Sequence, residues 1–74
     1  MESFTFEIQK NIGVISETNK KWTREVNIIS WNDRPAKYDI RDWSPDKSQM
    51  SKGLSFTKEE LISLKNLLNQ INLD

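Results

Sequence analysis

KGLSFTKEEL, residues 52–61, is where the apolar repeat of this 74-residue chain changes from that of a strand to that of a helix. Gly53-Leu54-Ser55-Phe56 reads as a short strand. Thr57-Lys58-Glu59-Glu60 then forms a capping box, in which the Thr57 hydroxyl and the Glu60 carboxylate satisfy free N–H groups of a helix's first turn. Beyond it, Leu61, Leu64, Leu67, Leu68 and Ile71 recur at helical spacing and cover one broad apolar face, with Ile62 off that face and Leu73 past the expected end. A face this wide serves either to cover a sheet, with a few apolar residues left over, or to pack helix against helix across a dimer axis.

Working towards the N-terminus, AKYDIRDW (residues 36–43) alternates as a strand. Ala36, Tyr38 and Ile40 point one way, and Lys37, Asp39, Arg41 and Trp43 the other. Ser44-Pro45 ends it, and residues 46–52 form a polar loop with nothing to bury. The turn Asn32-Asp33-Arg34-Pro35 separates it from a strand over residues 22–31, rich in β-branched and aromatic residues. Before that, Phe4, Phe6 and Ile8 alternate with Ser3, Thr5 and Glu7. Apolar residues resume at Ile12, Val14 and Ile15, with Gly13 marking a bulge that lets one long strand bend. Polar residues 17–21 close the first hairpin. The expected fold is α+β: a four-stranded curved antiparallel sheet followed by one C-terminal helix, in a single domain over residues 1–74.

Composition narrows the function. The chain has no cysteine and no histidine, so it lacks thiolate and imidazole metal ligands, disulfides and the commonest general base. So small a domain, without those staples, gains stability most readily from a partner subunit, which favours the dimer reading of the helix. No apolar run suits a signal peptide or a membrane span, and the expected location is the cytoplasm. Catalysis finds no support. There is no nucleophile–base pair or Gly-rich phosphate loop, and Asp39 and Asp42 fall on opposite strand faces and cannot converge on one ion. No metal and no cofactor are implied.

Net charge is zero, but residues 20–52 hold eight cations against five acids and all three tryptophans. Cations interleaved with aromatics suit a single-strand binder, one group neutralising phosphates and the other stacking on bases. The plainer alternative is a mixed-charge surface with strand aromatics in the core. On the third strand, Lys37 and Arg41 flank Asp39, readily read as their ion-pair partner, and Trp43 ends the row. If Val26 and Ile28 face the helix, then Asn27, Ile29 and Trp31 face outward beside that row, bringing two exposed indoles to one surface. Trp22 and Arg24 share the parity of Val26, so either a bulge intervenes or Trp22 caps the core. In the loop, Lys47 reads as part of a connector and Lys52 as a contact residue.

KYDIRDW followed by a polar loop and KGLSFTKEEL resembles the transcriptional positive coactivator four (PC4/p15-like) family, in which a DIR-plus-aromatic strand precedes a KG-hydrophobic-S/T strand and an amphipathic helix. WTREVN at residues 22–27 and SWN at residues 30–32 make it most similar to the bacterial YdbC-like branch. The resemblance implies a homodimer joined through its helices, with Leu61, Leu64, Leu67, Leu68 and Ile71 at the interface. It also implies curved sheets that bind single-stranded DNA with little sequence preference, in transcription, replication or repair. The family's contact positions fall on Trp31, Arg41, Trp43 and Lys52. The face argument adds Lys37 and Asn27, and the branch segment adds Trp22 and Arg24. Single-stranded RNA is an alternative ligand. A protein-interaction module using Trp31 and Trp43 as a hot spot is the alternative from another class.

Overall fold

Strand β1 is Phe6–Glu17, β2 is Thr23–Trp31, β3 is Lys37–Trp43, β4 is Leu54–Phe56, and helix α1 is Lys58–Gln70. The computed structural model describes residues 4–18 and 20–73; Ser3 and Asn19, assigned from sequence to the first strand and first turn, lie outside the described residues. The strands form one antiparallel sheet in the order β1-β2-β3-β4, each paired with its neighbour in sequence.

The bend of the sheet originates in β1. Its twelve residues pair with the nine of β2, and the excess is absorbed at three register shifts, where Gln9, Ile12 and Ile15 have no opposite number. Each extra residue increases local twist and bends the strand. The bulge expected at Gly13 therefore lies one residue earlier, at Ile12. Gly13 itself pairs with Val26, and a Cβ built on it would meet nothing within 4 Å.

The five-residue β2–β3 connection, residues 32–36, opens on a tight turn. Arg34 N–H donates to the Trp31 carbonyl at 2.9 Å, and Asn32 and Asp33 both have positive φ, 50° and 61°. Those values define a type I′ turn, whose twist matches the flanking strands and which Asn and Asp tolerate. At the far end, Gly53 lets β4 approach β3: a Cβ there would lie 2.4 Å from Arg41 Cβ and 2.5 Å from the Ile40 carbonyl oxygen. The helix begins as its sequence dictates. Thr57 Oγ1 accepts from Glu60 N–H at 3.1 Å, and Thr57 N–H donates to Glu60 Oε1 at 2.8 Å. It ends at Gln70, and Ile71 is an extended C-cap rather than a helical residue.

The alternation expected for β2 and β3 is observed, but the covered face is the one expected to face outward. Ile29 and Trp43 are the buried hydrophobic residues among those described, and Glu25, Asn27, Asp39 and Ser44 are buried with them. The other face, carrying Val26, Ile28, Tyr38 and Ile40, is half-buried. Helix α1 touches β3 and β4 but has no buried residue. Ile62, expected off the helix's apolar face, lines a shallow cleft with Tyr38, Leu61 and Lys65.

Candidate nucleic-acid interface

On the concave face, register places Phe6 opposite Trp31, Ile8 opposite Ile29 and Asn11 opposite Asn27. Across the next ladder, Glu25 faces Arg41, Asn27 faces Asp39 and Ile29 faces Lys37, while Asp39 faces Ser55 on β4. Residues directly opposite share a face, so this register gathers charge, amide and aromatic groups onto one side.

Arg41 is the organising cation. Its Nε donates to Asp39 Oδ1 at 2.6 Å and its Nη2 to Asp39 Oδ2 at 2.7 Å, while Ser55 Oγ donates to Oδ2 at 2.8 Å. The Asp39 side chain is fully buried and Arg41 retains 13% exposure. A two-pronged guanidinium–carboxylate pair fixes orientation as well as position. So held, the guanidinium lies 4.4 Å from the centroid of Trp31, within cation–π range. Lys37, expected to share Asp39, is exposed at the turn end of the same row and makes no ion pair with it.

A second cluster centres on Glu25. Asn11 Nδ2 donates to Glu25 Oε1 at 3.1 Å and to Asn27 Oδ1 at 2.7 Å, and Thr23 Oγ1 and Lys47 Nζ both donate to Glu25 Oε2. Burial pushes the Glu25 carboxyl up, but hydrogen bonds from Lys47, Thr23 and Asn27 and the charge of Lys47 outweigh it, leaving the group below the usual range. Lys47 is thus no mere connector. Its loop is built around Asp46, which accepts from the Ser48 hydroxyl and backbone N–H and from the Ser44 hydroxyl, and these hold its pKa down to about 2. The turn brings Lys47 Nζ to 5.9 Å from the Trp43 ring centroid.

Phe4, Phe6, Trp31 and Trp43 form one aromatic cluster. Phe4 and Phe6 lie 5.5 and 5.7 Å from Trp31, and Phe6 lies 5.4 Å from Trp43, all at tilted angles. The expectation of two exposed indoles is corrected here. Trp43 has no exposed surface, Trp31 is half-buried, and neither indole N–H finds an acceptor among the described residues. Asn27, expected on the accessible surface, is also fully buried, because Asn11 and Glu25 close over its amide.

Trp22 and Arg24 do not join this surface. Trp22 precedes β2 and closes the first turn, its carbonyl accepting from Thr18 N–H at 2.7 Å. Arg24 lies on the opposite face and pairs with Asp42, Nε to Oδ1 at 2.8 Å and Nη2 to Oδ2 at 3.2 Å. That pairing raises the Arg24 pKa and lowers that of Asp42. Lys52 is exposed beside a groove of about 440 Å³ at the β3–β4 edge, lined also by Arg24, Arg41 and Asp42. Asp39 and Asp42 do fall on opposite faces, as expected. Sequence reasoning missed Asn11, Lys47, Phe4 and Phe6 as members of the site.

The chain is thus an α+β domain in which a curved antiparallel sheet, with cations and aromatics gathered on one side, is followed by one capped helix. Residues 18–67 match the family described as Transcriptional Coactivator p15 (PC4), and the chain belongs to that family. It is also 48% identical over 73 residues to a protein of Treponema pallidum (strain Nichols) described as an uncharacterized protein, covering 99% of this chain and 86% of that one. Family membership points to nucleic-acid binding and a coactivator-like role. Among the described residues, no helix is long and apolar enough to cross a membrane.

Proposed function

We propose that the protein is a non-enzymatic homodimer that binds single-stranded DNA on its concave face with little sequence preference, as the YdbC-like branch of the family implies. The observation that carries this reading is the Arg41 guanidinium, locked by buried Asp39 and set 4.4 Å over Trp31. A cation fixed beside an aromatic cluster supports phosphate and base contacts at once. Lys37 and Lys52 are exposed and add charge at either end of β3. The cellular setting proposed is the cytoplasm, in transcription, replication or repair. Trp43 offers no surface to either a base or a protein partner, so the alternative of a protein hot spot would rest on Trp31, and low salt sensitivity of binding would favour it.

One copy leaves a broad apolar area uncovered, and a second copy would cover it. Leu54, Leu67, Leu68 and Ile71 are 48–67% exposed, and no helix residue is buried. The radius of gyration is 13.7 Å, against about 11 Å for a compact chain of this length. Helix α1 and the Val26–Ile40 face supply the apolar area an obligate partner would cover.

Fluorescence anisotropy of a labelled single strand, titrated at low and moderate salt beside a duplex control, tests the binding. Three phosphate contacts per protomer predict a log–log salt slope of about −2 for a single strand. Preference for duplex, or no binding by the folded protein, refutes the reading. Sedimentation equilibrium showing a monomer at micromolar concentration refutes the dimer.

A further inference from the structure

We infer that Phe4 and Phe6 provide the accessible stacking surface for nucleic-acid bases, with Trp31 and Trp43 holding those rings in place from beneath. The inference deepens the single-strand reading above and rests on it. Both phenylalanines lie outside the matched stretch, residues 18–67.

Accessibility is the first reason. Stacking needs an open ring face. Trp43 is fully buried, whereas Phe4 is 57% and Phe6 37% exposed. Two exposed phenylalanines in one patch amount to more than scattered surface apolars. The second reason is that the rings are fixed. Phe6 sits between Trp31 and Trp43, with centroids at 5.7 and 5.4 Å, and Phe4 lies against Trp31 at 5.5 Å and Phe6 at 6.1 Å. Thr5, between them, is clamped to the β2–β3 turn: its N–H donates to Asn32 Oδ1 and its carbonyl accepts from Asn32 N–H, both at 2.9 Å. A ring already immobilised loses little entropy when a base lies on it.

Charge supplies the third reason. The cluster is continuous with Arg41 through Trp31, at 4.4 Å, so a base resting on the phenylalanines has a phosphate-binding cation within reach of its own backbone. The chemistry fits the planar face of any base rather than a hydrogen-bonding edge. That predicts stacking without a base code.

The test compares the wild-type protein with Phe4→Ala and Phe4→Tyr, each confirmed folded by circular dichroism. The probes are a labelled oligothymidylate of roughly 15 nucleotides and an abasic strand of equal length. Phe4→Ala should weaken oligothymidylate binding by about 5- to 150-fold, leave its salt slope unchanged, and leave abasic-strand binding unchanged. Phe4→Tyr, which keeps a ring, should bind like wild type. Unaltered affinity of Phe4→Ala for oligothymidylate overturns the inference and leaves the single-strand reading standing. Tighter binding overturns it by showing that the ring obstructs the site. Equal losses on both strands overturn it by showing a structural role. Failure of the wild-type protein to bind either strand overturns both readings.

Discussion

Asp39→Asn separates the positioning of Arg41 from simple charge. The Asp39 carboxylate is fully buried and accepts three hydrogen bonds, at 2.6 and 2.7 Å from Arg41 and 2.8 Å from Ser55. An asparagine of the same shape offers one acceptor, and its amide N–H groups oppose a guanidinium prong. The other acceptors in reach of Arg41 are Met50 Sδ at 3.4 Å and the Ser51 carbonyl at 3.5 Å, both on Nη1 and both long. Breaking a buried ion pair costs about 3–5 kcal/mol. Arg41 keeps 13% exposure and can turn partly to water, so the lower end, about 3 kcal/mol, is expected. With a urea m-value of about 1.5 kcal/mol per molar, the unfolding midpoint should fall by roughly 2 M at fixed protein concentration. The binding outcome is the sharper one. Removing a negative charge from the concave face should, by Coulomb's law alone, tighten binding to a polyanion. If the value of Arg41 lies in its fixed position over Trp31, binding should weaken instead. Tighter binding by a variant whose urea midpoint has not moved would refute the account of Asp39 as the residue that positions Arg41.

Trp43→Ala empties a fully buried site between Phe6 and Lys47 and should cost about 3–5 kcal/mol of stability, read as a large fall in melting temperature; a shift of only a degree or two would show that the ring is not core. Gly53→Ala places a methyl 2.4 Å from Arg41 Cβ and 2.5 Å from the Ile40 carbonyl oxygen, so β4 must move, at about 1–3 kcal/mol. Gly13→Ala meets nothing within 4 Å and should leave the denaturation midpoint unchanged or raised. Acid should loosen the loop around Lys47. Asp46 is held at about 2 against a usual 3.8, and Glu25 is also lowered. A carboxylate with a depressed folded-state pKa stabilises the fold above its unfolded value and loses that contribution as pH falls through the folded one. Thermal stability should therefore drop from about pH 5 to about pH 2, and Asp46→Asn should shrink the drop; an unchanged profile would count against the Asp46-centred turn.

The elements of the fold were legible because their signals are local. A capping box needs only Thr57 and Glu60, and period-two alternation through β2 and β3 placed Asn27, Ile29, Trp31, Asp39, Arg41 and Trp43 on one face without any knowledge of neighbours. Which face is covered was not legible, because that depends on β1. Three register shifts carry Ile8, Asn11, Val14 and Glu17 opposite Ile29, Asn27, Glu25 and Thr23, a three-residue spacing that matches neither a strand nor a helix repeat. The same shifts bring Phe6 back over Trp43 and hide Asn11's role. Lys47 was obscured for a related reason. Its reach to Glu25 follows from a loop bend with φ of 64° at Lys47 itself, and the one sequence trace of that bend is Asp46 set between Ser44 and Ser48.

The buried ion pairs of the site are charge-neutral, so the free positive charge near it is carried by Lys37 and Lys52. Its buried acids are each occupied: Asp39 by Arg41 and Ser55, and Glu25 by Lys47 and three hydroxyl or amide donors, Asn11, Thr23 and Asn27. Acid is therefore used inside this face to hold cations in place, while Lys37 remains exposed at the turn end of the row and Lys52 beside the β3–β4 groove. The apolar residues of Val26, Ile28, Tyr38 and Ile40 go to the opposite side with Leu54 and the helix, where one copy leaves them partly open. A domain of this size cannot enclose both a polar cup and an apolar core. In the proposed dimer the polar network lies on the ligand-binding side and a second copy completes the apolar face, so the same four strands would serve both surfaces and loss of the dimer would be separable from loss of the site by mutation.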